Sequence, residues 1–221
     1  MFTNLPKWVE YGAFMLAFIA GTVNAIGLLG VEQQAISHLS GTVSLLGTSL
    51  LNDNSTALYL LAVIISFVIG AALSGLLLSG ASLKLGRHYD TLLFIEGLLL
   101  LASAVLLDHG FAYGIVLASA ACGLQNALAT NYSGAIIRTT HLTGIFTDLG
   151  LMLGKTMKGE VFDMRKCVMF LLIIVGFLLG GLVGLILFSH FTMLALGAPA
   201  IVCILLAMAY RLYLGRVTKH Y

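Results

Sequence analysis

Long apolar runs separated by short polar segments dominate the pattern of this 221-residue chain. A helix needs about 20 predominantly apolar residues to cross a hydrocarbon core about 30 Å thick. The runs are apolar on every face, whereas the strands of a transmembrane barrel alternate in polarity. The pattern therefore predicts six transmembrane helices, at residues 11–31, 57–80, 91–107, 111–130, 167–188 and 191–213.

Two further apolar runs are too short to cross a bilayer. Residues 41–51 would form about 16 Å of helix and residues 142–154 about 20 Å, at about 1.5 Å per residue. Polar segments follow both runs, at residues 52–55 and 155–158. We therefore expect two re-entrant half-helices, each of which enters the membrane and returns to the same side.

The composition agrees with a membrane protein. Apolar residues make up 60% of the chain and charged residues 9%, against about 25% charged in a typical soluble domain, and the mean hydropathy is +1.05. These values exclude a soluble globular enzyme, and a net charge of +2 gives no reason to expect a nucleic-acid partner. Cys122, Cys167 and Cys203 lie in apolar surroundings without the spacing of metal ligands, so we expect no disulfide, metal or cofactor.

The distribution of basic residues predicts the topology, because Lys and Arg accumulate in short cytoplasmic loops. If the half-helices crossed fully, Lys84, Arg87 and Arg138 would lie outside. A model with six crossings, two half-helices and both termini in the cytoplasm is favoured because it places every Lys and Arg inside: Lys7, Lys84, Arg87, Arg138, Lys155, Lys158, Arg165, Lys166, Arg211, Arg216 and Lys219.

The chain also contains an internal repeat. Gly-Thr-Val-Asn-Ala at residues 21–25 recurs as Gly-Leu-Gln-Asn-Ala at residues 123–127, an offset of 102. His-Leu-Ser-Gly at residues 38–41 recurs as His-Leu-Thr-Gly at residues 141–144, an offset of 103. At an offset of 110, a first stripe of small residues matches a second one: Ser66, Gly70 and Ser74 match Gly176, Gly180 and Gly184.

Each copy of the repeat contains three crossings and one half-helix. The copies are residues 11–107 and 111–213 of a single membrane domain that comprises residues 1–221. Because three is an odd number, the second copy has the opposite orientation in the membrane. Inverted 3+3 repeats with interrupted helices that meet near the midplane are typical of transporters. We therefore expect an all-α polytopic membrane protein with a functional site between the repeats.

The same motifs carry a resemblance to a known family. Gly-x-x-Asn-Ala followed by His-x-Ser/Thr-Gly, present in both halves, resembles the bacterial YoaK family of membrane proteins, which are classed as a domain of unknown function. The resemblance extends over essentially the whole chain. It implies a location in the bacterial inner membrane and supplies no substrate.

Two asparagines within apolar helices are the first candidate site residues. Asn24 and Asn126 occupy equivalent positions of the two repeats, and a buried amide without a partner costs free energy. They could form interhelical hydrogen bonds, each worth about 0.6 kcal/mol on average. They could also line a central cavity and contact solute, and the two interpretations are compatible.

The starts of the half-helices supply the other candidates. His38 and His141 each open a half-helix, with Ser40 or Thr143 in a plausible capping position. If the helix N-termini point at the midplane, their partial positive charge attracts anions, and Arg138 near the second half-helix would strengthen this preference. The two histidines could instead only cap the half-helices. Together with the asparagines, these residues form the predicted substrate site: Asn24, His38, Ser40, Asn126, Arg138, His141 and Thr143.

Glu96 lies in the middle of a long apolar run, where an acidic residue is expected to be functional. It is the candidate for proton coupling, although pairing with an amide or a histidine is an equal alternative. Asp148, in the second half-helix, is a weaker candidate. The two stripes of small residues are typical of helix packing, either between the repeats or between the subunits of a homodimer.

Three classes of function remain. A transporter of a small polar or anionic solute accounts for the inverted repeats, the half-helices, the paired Asn and His residues and Glu96. A passive channel accounts for all of these except Glu96. An intramembrane enzyme is disfavoured because the sequence contains none of the usual hydrolase or metalloprotease motifs. We therefore expect a transporter with the lipid bilayer and an unidentified solute as its partners.

Overall fold

The computed structural model describes residues 7–30, 36–78, 88–132 and 139–217, and every regular element in these ranges is helical. The all-α prediction is therefore confirmed. In order along the chain, the described part contains α1 (Lys7–Leu29), α2 (Leu39–Ser49), α3 (Asn54–Leu77), α4 (Tyr89–Asp108), α5 (Gly114–Tyr132), α6 (Leu142–Met157), α7 (Met164–Phe191), a 3-10 helix (Thr192–Leu196) and α8 (Gly197–Val217).

Four helical segments of the described part are long and apolar enough to cross a membrane. The last of them contains α7, the 3-10 helix and α8 in one apolar stretch. Helix α5 is not among the four, because Gln125, Asn126 and Asn131 make it more polar than the others. These helices indicate a membrane protein, and the candidate membrane-crossing segments are Trp8–Leu29, Asn54–Leu77, Tyr89–Asp108 and Met164–Leu214.

Local signals explain where individual helices begin and end. The Asp53 carboxylate accepts hydrogen bonds from the backbone N–H groups of Ser55 (3.0 Å) and Thr56 (3.3 Å), which caps α3. The side-chain hydrogen bonds from Ser55 and then Thr56 contribute most to lowering the pKa of Asp53 to about 2. Helix α7 ends at Phe191 because Thr192 has a positive φ of 51°, so α8 begins at Gly197 instead of residue 191.

Two buried apolar clusters reveal the directions of the six long helices. The first cluster contains the beginnings of α1, α4 and α7 together with the last turns of α5 and α8, and the end of α3 packs against it. The second contains the ends of α1 and α4 together with the first halves of α3, α5 and α8. The six long helices therefore run between the same two ends of the bundle and alternate in direction along the chain.

The long helices pack mainly across the two halves of the chain. Helix α1 packs against α7, α3 packs against α5, and α4 packs against both α8 and α5. The second small-residue stripe lies against α1, because side chains added at Gly176, Gly180 and Gly184 would meet α1 backbone or side-chain atoms. The first stripe lies against α5, where a side chain on Gly70 would overlap the backbone of Ala120. Both stripes thus pack the two halves of the chain against each other.

The described basic residues lie at one end of the bundle. Arg165 and Lys166 are in the first turn of α7, next to the first apolar cluster, and Arg211 is near the end of α8 at the same level. Arg211 lies 3.9 Å from the Asp90 carboxylate, and Lys166 lies 3.1 Å from the Asp148 carboxylate. The opposite end includes Asp53 and Asp108, so the bundle is electrically asymmetric.

Candidate functional site

The starts of the two half-helices share one cavity of about 400 Å³. Helices α2 and α6 correspond to the two predicted half-helices. Residues from their starts, about 100 positions apart in the sequence, line the same cavity. Side chains from α3 and α5 complete the walls. The cavity is lined by Ser37, His38, Leu39, Ser40, Phe67, Asn126, Thr140, His141 and Thr143.

The structure brings together most of the residues predicted as a substrate site. Five of the seven line the cavity: His38, Ser40, Asn126, His141 and Thr143. Asn24 is not in the lining and is 6% exposed, but it contacts His38 directly. Arg138 lies outside the described residues.

Asn24 attaches the start of the first half-helix to α1. Its side-chain oxygen accepts hydrogen bonds from the backbone N–H of Ser37 (3.3 Å) and from the Ser37 hydroxyl (2.9 Å). His38 Nδ1 lies 3.2 Å from the same oxygen. Because an amide oxygen can only accept, this contact is a hydrogen bond when the proton of the imidazole is on Nδ1. Asn24 therefore fixes both the loop and the histidine.

Asn126 makes the equivalent contact in the second half. Its side-chain oxygen accepts a hydrogen bond from the Thr140 hydroxyl at 3.2 Å. Thr140 occupies the position of Ser37 at an offset of 103, as Asn126 occupies that of Asn24 at 102. Each asparagine thus joins a long helix to the residue that precedes a half-helix histidine, and Asn126 also faces the cavity.

The residues at the N-cap positions of the two half-helices differ from those predicted. His38 and His141 occupy the N-cap positions, and neither N-cap residue makes a side-chain hydrogen bond to its helix. The prediction that Ser40 and Thr143 cap the helices is wrong, because α2 begins at Leu39 and α6 at Leu142, so both residues lie within the first turn. The first N–H groups of both helices therefore receive no hydrogen bond from the side chains of their N-cap residues.

The two histidines have different orientations. The ring of His38 lies against α1 and α7, with its centroid 5.8 Å from that of Phe177 in an edge-to-face arrangement. The ring of His141 lies over its own helix, because a side chain on Gly144 would overlap it. The equivalent glycine, Gly41, has open space around it. Equivalent residues of the two halves thus adopt different conformations.

Glu96 lies away from the cavity, within the contact between α4 and its neighbours. It is 2% exposed, and its hydrogen-bonding neighbour is the Cys203 thiol of α8. No described residue pairs with its Oε2 atom. Asp148, the weaker acidic candidate, forms an ion pair with Lys166.

Sequence reasoning did not identify four of the lining residues: Ser37, Leu39, Thr140 and Phe67. Ser37 and Thr140 directly precede the two histidines at the same offset, so extending the repeat by one residue would have found them. Phe67 matches Phe177 at the offset of 110 that relates the two stripes. Its position at the cavity, however, depends on how α3 packs.

The described residues contain no group of three or more His, Cys, Asp and Glu side chains that could hold a metal ion. The three cysteines are free thiols, and Cys122 and Cys203 are buried. The chemistry of the cavity is instead that of hydroxyl, amide and imidazole groups around two helix N-termini. Such a site can bind a polar or negatively charged molecule through hydrogen bonds.

Comparison with known proteins places the chain in a family without supplying an activity. Neither a curated protein nor a solved structure matches it. A family model described as "Protein of unknown function (DUF1275)" matches residues 12–209. This match confirms the resemblance to a family of unknown function that the two motifs indicate. Because it extends over nearly the whole chain, the protein belongs to the DUF1275 family.

Proposed function

We propose that this protein is a transporter that moves a small polar or anionic solute through the cavity between its two half-helices. The observation that carries the proposal is the cavity of about 400 Å³ lined by both half-helix starts, with His38 and Ser40 on one side and His141 and Thr143 on the other. A cavity of this size accommodates a small metabolite or ion.

The proposal includes six crossings and an inverted repeat. Equivalent close contacts support the repeat: a side chain on Gly21 would overlap Phe177, and one on Gly123 would overlap Phe67. The alternating directions of the six long helices support an inverted second half, since α1 and α5 then run in opposite directions. The basic residues at one end of the bundle support a cytoplasmic location for that end and for both termini.

The preference for anionic or strongly polar solutes rests on the helix N-termini. The N-cap side chains of His38 and His141 do not cap α2 and α6, and Leu39, Ser40 and Thr143 of the first turns line the cavity. An uncapped N-terminus presents N–H donors and a partial positive charge. Arg138, in the segment before α6, would add a full positive charge to this end.

The orientations of the histidines favour a carrier over a passive channel. Alternating access in inverted-repeat carriers moves one repeat against the other around a fixed site. His38 next to Asn24 and His141 folded over Gly144 are two conformations of one repeat unit. In the proposed cycle the two halves exchange these conformations, so that His141 approaches Asn126 while His38 folds over Gly41.

The first experiment identifies the solute by thermal stabilisation of the detergent-purified protein across a panel of anions and neutral metabolites. A ligand at 100 times its dissociation constant adds about 2.7 kcal/mol to the free energy of unfolding. We expect anions or strongly polar molecules to raise the melting temperature, and we expect His141→Ala to abolish the effect. His109→Ala, at the exposed turn after α4, is the matched control and should respond like the wild type.

Uptake of the identified solute into proteoliposomes then tests transport itself. A carrier gives saturable uptake, and Asn126→Ala and His141→Ala should abolish it while the protein remains folded. Unsaturable flux that is insensitive to a proton gradient would identify a channel instead. Stabilisation by cations alone, equal in wild type and His141→Ala, would contradict the role of the helix N-termini.

A further inference from the structure

Glu96 of α4 is enclosed by the protein and lacks a full set of partners. Two thiols are the titratable groups that face it among the described residues, Cys122 of α5 and Cys203 of α8. Cys203 forms a hydrogen bond with the carboxyl group, and Oε2 has no partner in the described part of the chain. An ionised carboxylate buried beside weak thiol donors costs several kcal/mol. Glu96 is therefore a neutral acid in this conformation.

Gln125 of α5 is a second buried polar group with an unused hydrogen-bonding atom. Its side chain is 1% exposed, and Nε2 has no partner among the described residues. It precedes Asn126, which lines the cavity. An amide group donates hydrogen bonds through its nitrogen, and a carboxylate only accepts them. The unused atoms of Glu96 and Gln125 are thus complementary.

The packing of α4 against α5 places these two residues within about one helical turn of the same level. The Ser103 hydroxyl donates a hydrogen bond to the Gly114 carbonyl at 2.8 Å, where the two antiparallel helices meet. Glu96 lies seven residues before Ser103 in α4, and Ala121 lies seven residues after Gly114 in α5. Gln125 lies one turn beyond Ala121, on the same side of α5 as Gly114 and Ala121, because residues four and seven apart share a helix face.

The pair of residues at the repeat-equivalent positions supports this proximity. At an offset of 102 the counterpart of Gln125 is Val23, and the counterpart of Glu96, at an offset of 100, is Leu196. Both are buried members of the same apolar cluster. One of the two equivalent pairs, Val23 with Leu196, is therefore apolar, whereas the other pair, Gln125 with Glu96, consists of an amide and an acid.

We propose that Glu96 and Gln125 form a proton-binding pair, in which Gln125 donates a hydrogen bond to Glu96, directly or through one water molecule, when the carboxyl group releases its proton. The role of the pair in solute movement rests on the proposed transport function. Because Gln125 is adjacent to Asn126, a movement of the amide toward Glu96 also displaces a residue that lines the cavity. The pair thereby connects the protonation of Glu96 to the site of the solute.

Infrared titration of the full-length protein in lipid bilayers tests the pair without any solute. The C=O stretch of a protonated carboxylic acid is separate from the amide bands, and Glu96→Gln identifies the contribution of Glu96. We expect the wild type to show this band at neutral pH and to lose it on alkaline titration. Absence of a Glu96 band at neutral pH would overturn the proposal.

Gln125→Met removes the amide with a small change in volume. The midpoint of the Glu96 titration should rise by about one pH unit, because a hydrogen bond to a charged group is worth about 1.5–3 kcal/mol and one unit corresponds to about 1.4 kcal/mol. Gln125→Leu is the second variant if Gln125→Met does not fold. The matched control is Ser119→Ala, which removes a buried hydroxyl that bonds to Val63 on the α3 side of the same helix.

The outcomes separate this inference from the proposed function. An unchanged midpoint in the Gln125 variants, or an equal rise in Ser119→Ala, would refute the pair even if the protein transports a solute. A selective rise in the Gln125 variants would establish the pair even if no solute is transported. If wild-type uptake is then independent of a pH gradient, the pair still exists but its protonation is not coupled to solute movement.

Discussion

Gly21 packs directly against the backbone of Phe177, so closely that a side chain on the glycine would overlap the phenylalanine carbonyl. The equivalent residues of the two repeats stand in the same relation: Gly123 packs against the carbonyl of Phe67. Two crossings of long helices, α1 with α7 and α3 with α5, therefore depend on the absence of a side chain at Gly21 and Gly123, as they do at the glycines of the two stripes. Small residues permit this close approach of helix backbones in membranes.

We predict that Gly21→Ala and Gly123→Ala strongly destabilise the protein. An overlap with backbone atoms cannot be relieved by a rotamer change, and overpacking typically costs about 1–3 kcal/mol. Gly47→Ala and Gly150→Ala are the matched controls, because both glycines lie in half-helices with open space around them. There alanine should be neutral or stabilise the helix by up to about 1 kcal/mol. Denaturant unfolding in mixed micelles measures the difference, and equal stabilities of the two sets would disprove the tight crossings.

The sequence predicted the helical elements well because length, periodicity and the repeat are properties of contiguous segments. All six long runs and both short runs correspond to helices. The paired motifs also predicted that His38 and His141 belong to one site, and both line the same cavity. An inverted-repeat arrangement, as proposed here, is expected to bring equivalent segments together at the repeat interface, and the motifs alone were enough to pair the two histidines.

Other features depend on contacts between segments that are distant in the chain, and these contacts could not be predicted from the sequence. Ser40 was expected to cap α2, but the helix starts at Leu39, two residues earlier than that cap implies, and His38 takes the N-cap position. The sequence also did not indicate that thiols from α5 and α8 face Glu96. The different orientations of the two histidines also could not be predicted, because the motifs themselves are nearly identical.

Asn24→Ala should destabilise the protein more than Asn126→Ala. The Asn24 oxygen accepts two hydrogen bonds from Ser37 and contacts His38, and its loss leaves a buried N–H group unpaired. Such a group costs about 1–3 kcal/mol. Among the described residues, only the Thr140 hydroxyl donates a hydrogen bond to the side-chain oxygen of Asn126. Asn126 faces the cavity, so in the alanine variant a water molecule can accept that hydrogen bond instead. Thermal unfolding of both variants with Asn52→Ala as the exposed control measures this order, and the reverse order would contradict the assigned roles.

The proposed topology predicts opposite labelling of two exposed positions. Asn54 begins α3 at one end of the bundle, and Lys158 follows α6 near the basic end. In a background with Cys167→Ser, Asn54→Cys should react with a membrane-impermeant maleimide in intact cells. Lys158→Cys should react only after the membrane is permeabilised. Labelling of Lys158→Cys in intact cells would require a different number of crossings, and Tyr113→Cys, at the turn between α4 and α5, provides a second position expected outside.

Gly41→Ala should block transport although the structure leaves space for the added methyl group. In the proposed cycle His38 must fold over Gly41, as His141 now folds over Gly144, and a methyl group would overlap the ring in that exchanged state. A cost of about 1–3 kcal/mol lowers the population of the exchanged state by about 5- to 150-fold. Uptake should fall accordingly, while thermal stability and stabilisation by the solute in this conformation persist. Gly47→Ala, farther along the same helix, should retain full uptake. Wild-type uptake by Gly41→Ala would show that the two halves do not exchange conformations, since only the exchanged state brings His38 and residue 41 together.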